Sequence, residues 1–204
     1  MEYLSAVGET VTEKIIEKSR FITYVAHVES EEEAKAYLNK LHALHPLATH
    51  ICYAYIADKT GNFIRFSDDG EPQGTAGMPI LGVIKAKKLF ETMVAVVRYF
   101  GGIKLGAGGL TRAYAGCAAE GINGAEKHTY SMGVELTIEV DYTQVNAALR
   151  LLDGEIILTR DFGANAAFTV IVREEDEEDF NVRAKDYLNG RVKITAGKKY
   201  FYPF

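Results

Sequence analysis

The sequence has only two cysteines among its 204 residues, Cys52 and Cys117, with no CxxC pair and no spacing that suits metal ligation. That excludes a disulfide scaffold and implies a reduced, cytoplasmic setting. No apolar stretch approaches the ~20 residues that cross a bilayer, so no membrane partner is expected. The first residues, Met1-Glu-Tyr-Leu-Ser-Ala-Val-Gly-Glu, lack a basic region followed by an apolar run, which argues against a signal peptide. Low-complexity segments and strong internal repeats are absent. Positive charge is also scarce: the net charge is −5, so a generic nucleic-acid binder is excluded and any anion site must be a local patch.

What is present is unevenly placed. Residues 85–127 carry seven Lys or Arg against three Glu, whereas Glu174–Asp179 are six acids in a row. That acidic run suits the first turn of a helix. The hydrophobic fraction of 48% supports a buried core in one large or two small domains.

Val11–Ser19 and Phe21–Val28 alternate as strands. Ser30 followed by three Glu reads as a capping-box start for a helix to about His45, stopped by Pro46. Ile51–Ala57 and Phe63–Ser67 read as a hairpin, Met78–Lys88 as a helix, and Thr92–Tyr99 as a central, nearly continuous apolar strand. Leu110, Ala113, Tyr114, Cys117 and Gly121 follow helical spacing, with Gly124 as the end. Residues 125–133 read as a linker. Beyond it, strand Val134–Val140, helix Thr143–Leu152, strands Glu155–Asp161 and Ala166–Arg173, helix Glu175–Leu188 and strand Arg191–Tyr200 give the order βαββαβ, a ferredoxin-like plan. The fold class is α+β with two domains, 1–130 and 134–204.

The chemistry-bearing stretch is Arg98-Tyr-Phe-Gly-Gly-Ile-Lys-Leu-Gly-Ala-Gly-Gly-Leu-Thr-Arg-Ala-Tyr114, with five glycines and three cations in seventeen residues. It matches neither the P-loop pattern nor GxGxxG, so no known nucleotide fingerprint is present. Gly101 and Gly102, then Gly106 and Gly109 opening a helix, let backbone and ligand approach closely. Arg98, Lys104 and Arg112 favour an anion there, and Lys18 and Arg20 are candidates to join them. Arg98, on a strand face with Val94 and Val96, either touches the ligand or is braced by a carboxylate from the preceding loop. That loop, with Ser67, Asp68, Asp69, Glu71, Gly74, Thr75 and Gly77, is a candidate recognition element. Its three carboxylates suit either a hard cation or a set of turn and helix caps. His50 and Cys52 share a strand face, which admits a Cys–His nucleophile or an ordinary small core thiol. Tyr99 and Tyr114 suit base stacking and core packing equally.

Taken together, Lys18-Ser-Arg-Phe21, His50-x-Cys52, Ser67-Asp-Asp-Gly-Glu-Pro-x-Gly-Thr-Ala-Gly77-x-Pro79 and the glycine-rich run resemble the IMPACT family signature, in its bacterial, YigZ-type two-domain branch. The resemblance implies a first domain of ribosomal protein S5 domain 2-like fold, a sheet covered by helices on one side. It also implies a ferredoxin-like second domain similar to the last domain of elongation factor G. Eukaryotic relatives regulate translation through an additional N-terminal domain that this sequence lacks. The resemblance points to a non-enzymatic translation-associated protein that binds RNA, a ribosomal site or a protein partner of the translation machinery. An enzyme acting on a phosphorylated small molecule, or a regulator binding protein alone, are the alternatives. No cofactor and no metal are assigned.

Overall fold

The computed structural model describes residues 2–204. It contains two compact units, Tyr3–Thr129 and Tyr130–Phe204, with Glu2 grouped with the latter.

In the first unit the strands are β1 (Glu2–Ala6), β2 (Glu9–Ile16), β3 (Ser19–His27), β4 (His50–Ile56), β5 (Ile64–Ser67) and β6 (Thr92–Tyr99). The helices are α1 (Glu31–Leu44), α2 (Gly77–Ala86) and α3 (Gly106–Gly124). Five strands pair in the order β2-β3-β6-β4-β5, every neighbour antiparallel. The apolar strand β6 lies in the middle, as its run of Met93–Val97 requires. Two-residue alternation assigns Val94, Val96 and Arg98 to one face and Met93, Ala95 and Val97 to the other.

Both faces are covered, not one. The buried stripe Ala34, Leu38 and Leu41 of α1 packs on Ile22, Tyr24, Ile51, Tyr55 and Met93. Helices α2 and α3 cover the opposite face, where Ile80, Ile84, Tyr114 and Ile122 meet Phe21, Val25, Ala54 and Val96. A strand apolar on both sides needs two covers, since leaving either bare would expose a row of Val and Met. Helix α1 starts where its sequence says: Ser30 Oγ accepts from Glu33 N at 3.2 Å, and Glu33 accepts from Glu29 N at 2.8 Å.

In the second unit β7 (Lys127–Val140), β8 (Ile156–Phe162), β9 (Ala166–Arg173) and β10 (Lys193–Pro203) pair antiparallel in the order β10-β7-β9-β8. Helices α4 (Val145–Leu151) and α5 (Glu177–Tyr187), each entered through a short 3-10 turn, share one core with Leu136, Ile138, Phe168 and Val170. The six acids Glu174–Asp179 occupy that turn and the start of α5. Two expectations are corrected here. Residues 127–133 are not a linker but the start of β7, because β10 runs to Pro203 and supplies partners back to Tyr130. Strand β1, which the sequence reading left unassigned, bridges Leu4 to Leu89 and accepts from Phe90 N through the Leu4 carbonyl.

Candidate functional site

The glycine-rich run leaves the C-terminal end of β6 and opens α3. With the acidic loop it walls a cleft of about 300 Å³ lined by Glu71, Pro72, Arg98, Phe100, Lys104 and the first turn of α3. The two segments that the sequence singled out therefore meet within one unit.

Arg98 is buried, at 4% exposure, and so is Glu71, at 8%. Arg98 Nη1 donates to Glu71 Oε1 at 2.5 Å and Nη2 to Ser19 Oγ at 3.2 Å, while Phe21 and Phe100 lie 5.3 and 5.4 Å from its guanidinium carbon. Glu71 Oε1 also accepts from Tyr114 Oη at 2.8 Å. Of the two roles open to Arg98, the brace is the one formed: it ties the acidic loop to β6 and to the start of β3. A buried pair of this kind is costly to break, because either partner alone is a desolvated charge.

The other two loop carboxylates are also spent. Asp68 accepts from Gly74 N, Ala76 N and Gly77 N at 2.7, 3.0 and 2.8 Å. It thereby caps α2, whose own N-cap residue, Ala76, cannot do so. Burial works to raise the Asp68 pKa, but the three N–H donors together outweigh it and hold the carboxyl below its ordinary value. Asp69 Oδ2 accepts from Ile51 N at 2.5 Å, and its N–H donates to Ser67 Oγ. Thr75 Oγ1 donates to the Pro72 carbonyl at 2.6 Å. Gly77 is required sterically: a Cβ there would lie 2.8 Å from the Ser67 backbone. The carboxylates thus act as caps and a brace and do not converge on a common cation.

Cys52 and His50 do share a face, yet they form no nucleophile pair. The Cys52 thiol donates to the Asp68 carbonyl at 2.9 Å and lies 3.3 Å from Tyr114 Oη, while His50 Nδ1 sits 2.6 Å from the Asp69 carbonyl. Burial pushes the Cys52 thiol up to about 12, so it stays protonated at neutral pH. Burial likewise raises the Tyr114 phenol. Tyr114 is fully buried with its ring edge-on to Phe21, and Tyr99 faces α1 and contacts His45 at 2.8 Å. Neither tyrosine offers a free ring to a base.

The cations divide. Arg20 pairs with Tyr99 in the β3–β6 register and therefore lies on the α1 face, where it makes a bidentate pair with Glu13 at 2.8 Å. It does not join the cleft. Lys18 sits in the two-residue turn between β2 and β3, whose residues Glu17 and Lys18 both have positive φ. That turn abuts Gly101 so closely that a Cβ at 101 would lie 2.0 Å from the Lys18 carbonyl. Gly101 N donates to Ser19 Oγ, which closes the joint. Gly102 and Gly106 adopt positive φ, and Gly109 faces the Leu105 side chain. Lys18, Lys104 and Arg112 are exposed, and none of the ion pairs among the described residues involves them. Arg112 folds back until its Nη1 lies over Gly108. The N-cap residue of α3, Leu105, provides no side-chain cap, so the first N–H groups of a 19-residue helix have no side-chain acceptor beside Lys104.

A family model described as Impact N-terminal domain matches residues 17–122, the span that holds both walls of this cleft. The chain belongs to the IMPACT family. The similarity extends past that domain: IMPACT family member YigZ of Escherichia coli is 36% identical over 198 residues, covering 95% of this chain and 96% of YigZ. Among solved structures, a crystal structure of a hypothetical protein covers 97% of this chain and 98% of its own, with 32% identity and a TM-score of 0.64. Yih1, described as a two-domain translational regulator, is 26% identical over 60% of this chain and 47% of its own, with a TM-score of 0.35. No helix of the described residues is long and apolar enough to cross a membrane.

Proposed function

We propose that this chain is a non-enzymatic regulator of translation in the cytoplasm. In this reading it binds phosphate-bearing RNA, at a ribosomal site or beside a ribosome-bound partner, through the cleft of its first unit. Family membership supports the translational setting. One observation carries the ligand class: around the cleft every loop carboxylate is committed to the fold, whereas Lys18, Lys104, Arg112 and the open end of α3 are not. With Glu71, the carboxylate lining the cleft, paired to Arg98, and with cations and helix N–H groups left open on the other wall, the site favours anions. Phosphates would meet Lys104, Arg112 and the α3 N–H groups, with Lys18 at the margin and Arg98 holding the wall in place.

The same commitment of Asp68, Asp69 and Glu71 weighs against a phosphate-processing enzyme, which would need a free base or metal ligand there. The second unit carries the ferredoxin-like reading on its strand order. The ribosomal protein S5 domain 2-like reading of the first, and the likeness of the second to the last domain of elongation factor G, rest on the family resemblance.

The test is Lys104→Glu with Arg112→Glu, followed by co-sedimentation with ribosomes and with a structured RNA at rising salt. Both residues are exposed, so the fold is expected to be retained while binding falls and its salt dependence flattens. Binding that is unchanged and insensitive to salt would sink the reading. A partner that survives nuclease treatment would move it to protein recognition.

A further inference from the structure

At the other end of β6 a second group of side chains converges, and nothing in the cleft uses it. His27 closes β3, Glu29 follows it, and Glu91 sits in the bend before β6; one donor atom from each lies within 4.8 Å of the other two. His27 Nδ1 lies 2.8 Å from Ser5 Oγ, which is itself within 3.2 and 3.1 Å of the Ala6 and Glu91 carbonyl oxygens. The other ring nitrogen, Nε2, lies 3.0 Å from Glu29 Oε1.

The Glu91 side chain is buried, at 2% exposure, and the Tyr3 hydroxyl donates to its Oε2.

We propose that His27, Glu29 and Glu91 form a binding site for a divalent first-row transition ion, of which zinc and manganese are the probes. One imidazole nitrogen and two carboxylate oxygens are a borderline-to-hard donor set, suited to these ions and too small for calcium, which takes six to eight oxygens. Ser5 and Tyr3 are the outer partners that orient ring and carboxylate, the arrangement typical of such sites. Two carboxylates and a neutral imidazole balance a charge of two. Metal–ligand distances of about 2.0–2.2 Å require the donors to draw together, and Glu29, an exposed side chain, is free to move. Three protein ligands leave the remaining positions to water. The ion would tie the end of β3 to the start of β6 and so brace the sheet opposite the cleft.

The test is equilibrium dialysis of the untagged full chain against zinc and, separately, manganese, with thermal unfolding measured in parallel. One ion per chain is expected, together with a Tm that rises with metal concentration, as binding to the folded state alone requires. Glu29→Gln and His27→Ala are each expected to weaken binding at least about tenfold. Glu29 is exposed and its variant should fold, so a failure of His27→Ala to fold would not spoil the test. Absence of an ion at 1:1 at roughly 100-fold excess over a micromolar Kd, or a site indifferent to Glu29→Gln, would overturn the proposal. His27 and Glu29 would then be a plain imidazolium–carboxylate pair. A ribosome-binding defect in the cleft variants leaves this outcome untouched, since the two sites share no residue.

Discussion

The two walls of the cleft are built from opposite materials and use them in opposite ways. The loop 67–77 is rich in carboxylates, and every one is consumed by the fold: Asp68 by three backbone N–H groups, Asp69 by Ile51, Glu71 by Arg98 and Tyr114. The glycine-rich run is rich in cations, and only the buried Arg98 is consumed. Charge in a sequence therefore says little about a site until its partners are known. Glu71, the loop carboxylate that lines the cleft, is neutralised by Arg98. A chain of net charge −5 can still offer an anion a local surface.

Substitutions on the two walls should consequently fail in different ways, and the largest effect belongs to the brace. Glu71→Ala leaves the buried Arg98 unpaired and is expected to cost about 3–5 kcal/mol, read as a lower urea midpoint. A loss below about 1 kcal/mol would mean that Arg98 finds water or another acceptor, and the wall would be less fixed than described. Gly101→Ala sets a Cβ against the Lys18 backbone and should cost about 3 kcal/mol. Near-neutral behaviour would show that the β2–β3 turn gives way.

Asp68→Asn comes next, at about 1–3 kcal/mol, since the amide caps α2 less well. The sign of its pH dependence follows from the depressed pKa: the Asp68 contribution is complete above the unfolded value of about 3.9 and is lost as pH falls through the lower folded value. The variant should accordingly lose part of the acid-unfolding slope that the parent shows. Lys104→Ala and Arg112→Ala, on the opposite wall, should change stability by no more than about 0.5 kcal/mol while weakening anion binding. If they unfold the chain, the comparison between a structural wall and a binding wall collapses.

Much of this was legible in residue order. Thr92–Tyr99 and Ala166–Arg173 are strands with the bounds that their apolar runs announce, and Gly124 ends α3 as expected. Strand parity alone separates Arg98 from Arg20 once the β3–β6 register is known, but that register joins strands far apart in the chain, and the Glu17–Lys18 turn that leads into β3 carries no glycine to mark it. The start of β7 was hidden for a different reason. Its partners in β10 lie about seventy residues away, and local pattern does not report them. The fate of the carboxylates was equally out of reach, because their partners are mostly backbone N–H groups, which no sequence distinguishes. His27, Glu29 and Glu91 were missed since they are split across two segments and match no metal motif.

The central claim is that the free positive wall at the start of α3 is the binding surface. Backbone amide NMR during titration with a short phosphorylated oligoribonucleotide tests it most directly. Saturable shifts at Gly106–Gly109, Lys104 and Arg112, lost in the Lys104→Glu and Arg112→Glu double variant, are the predicted result. Saturable shifts that leave these residues untouched, or that persist in the double variant, would contradict it.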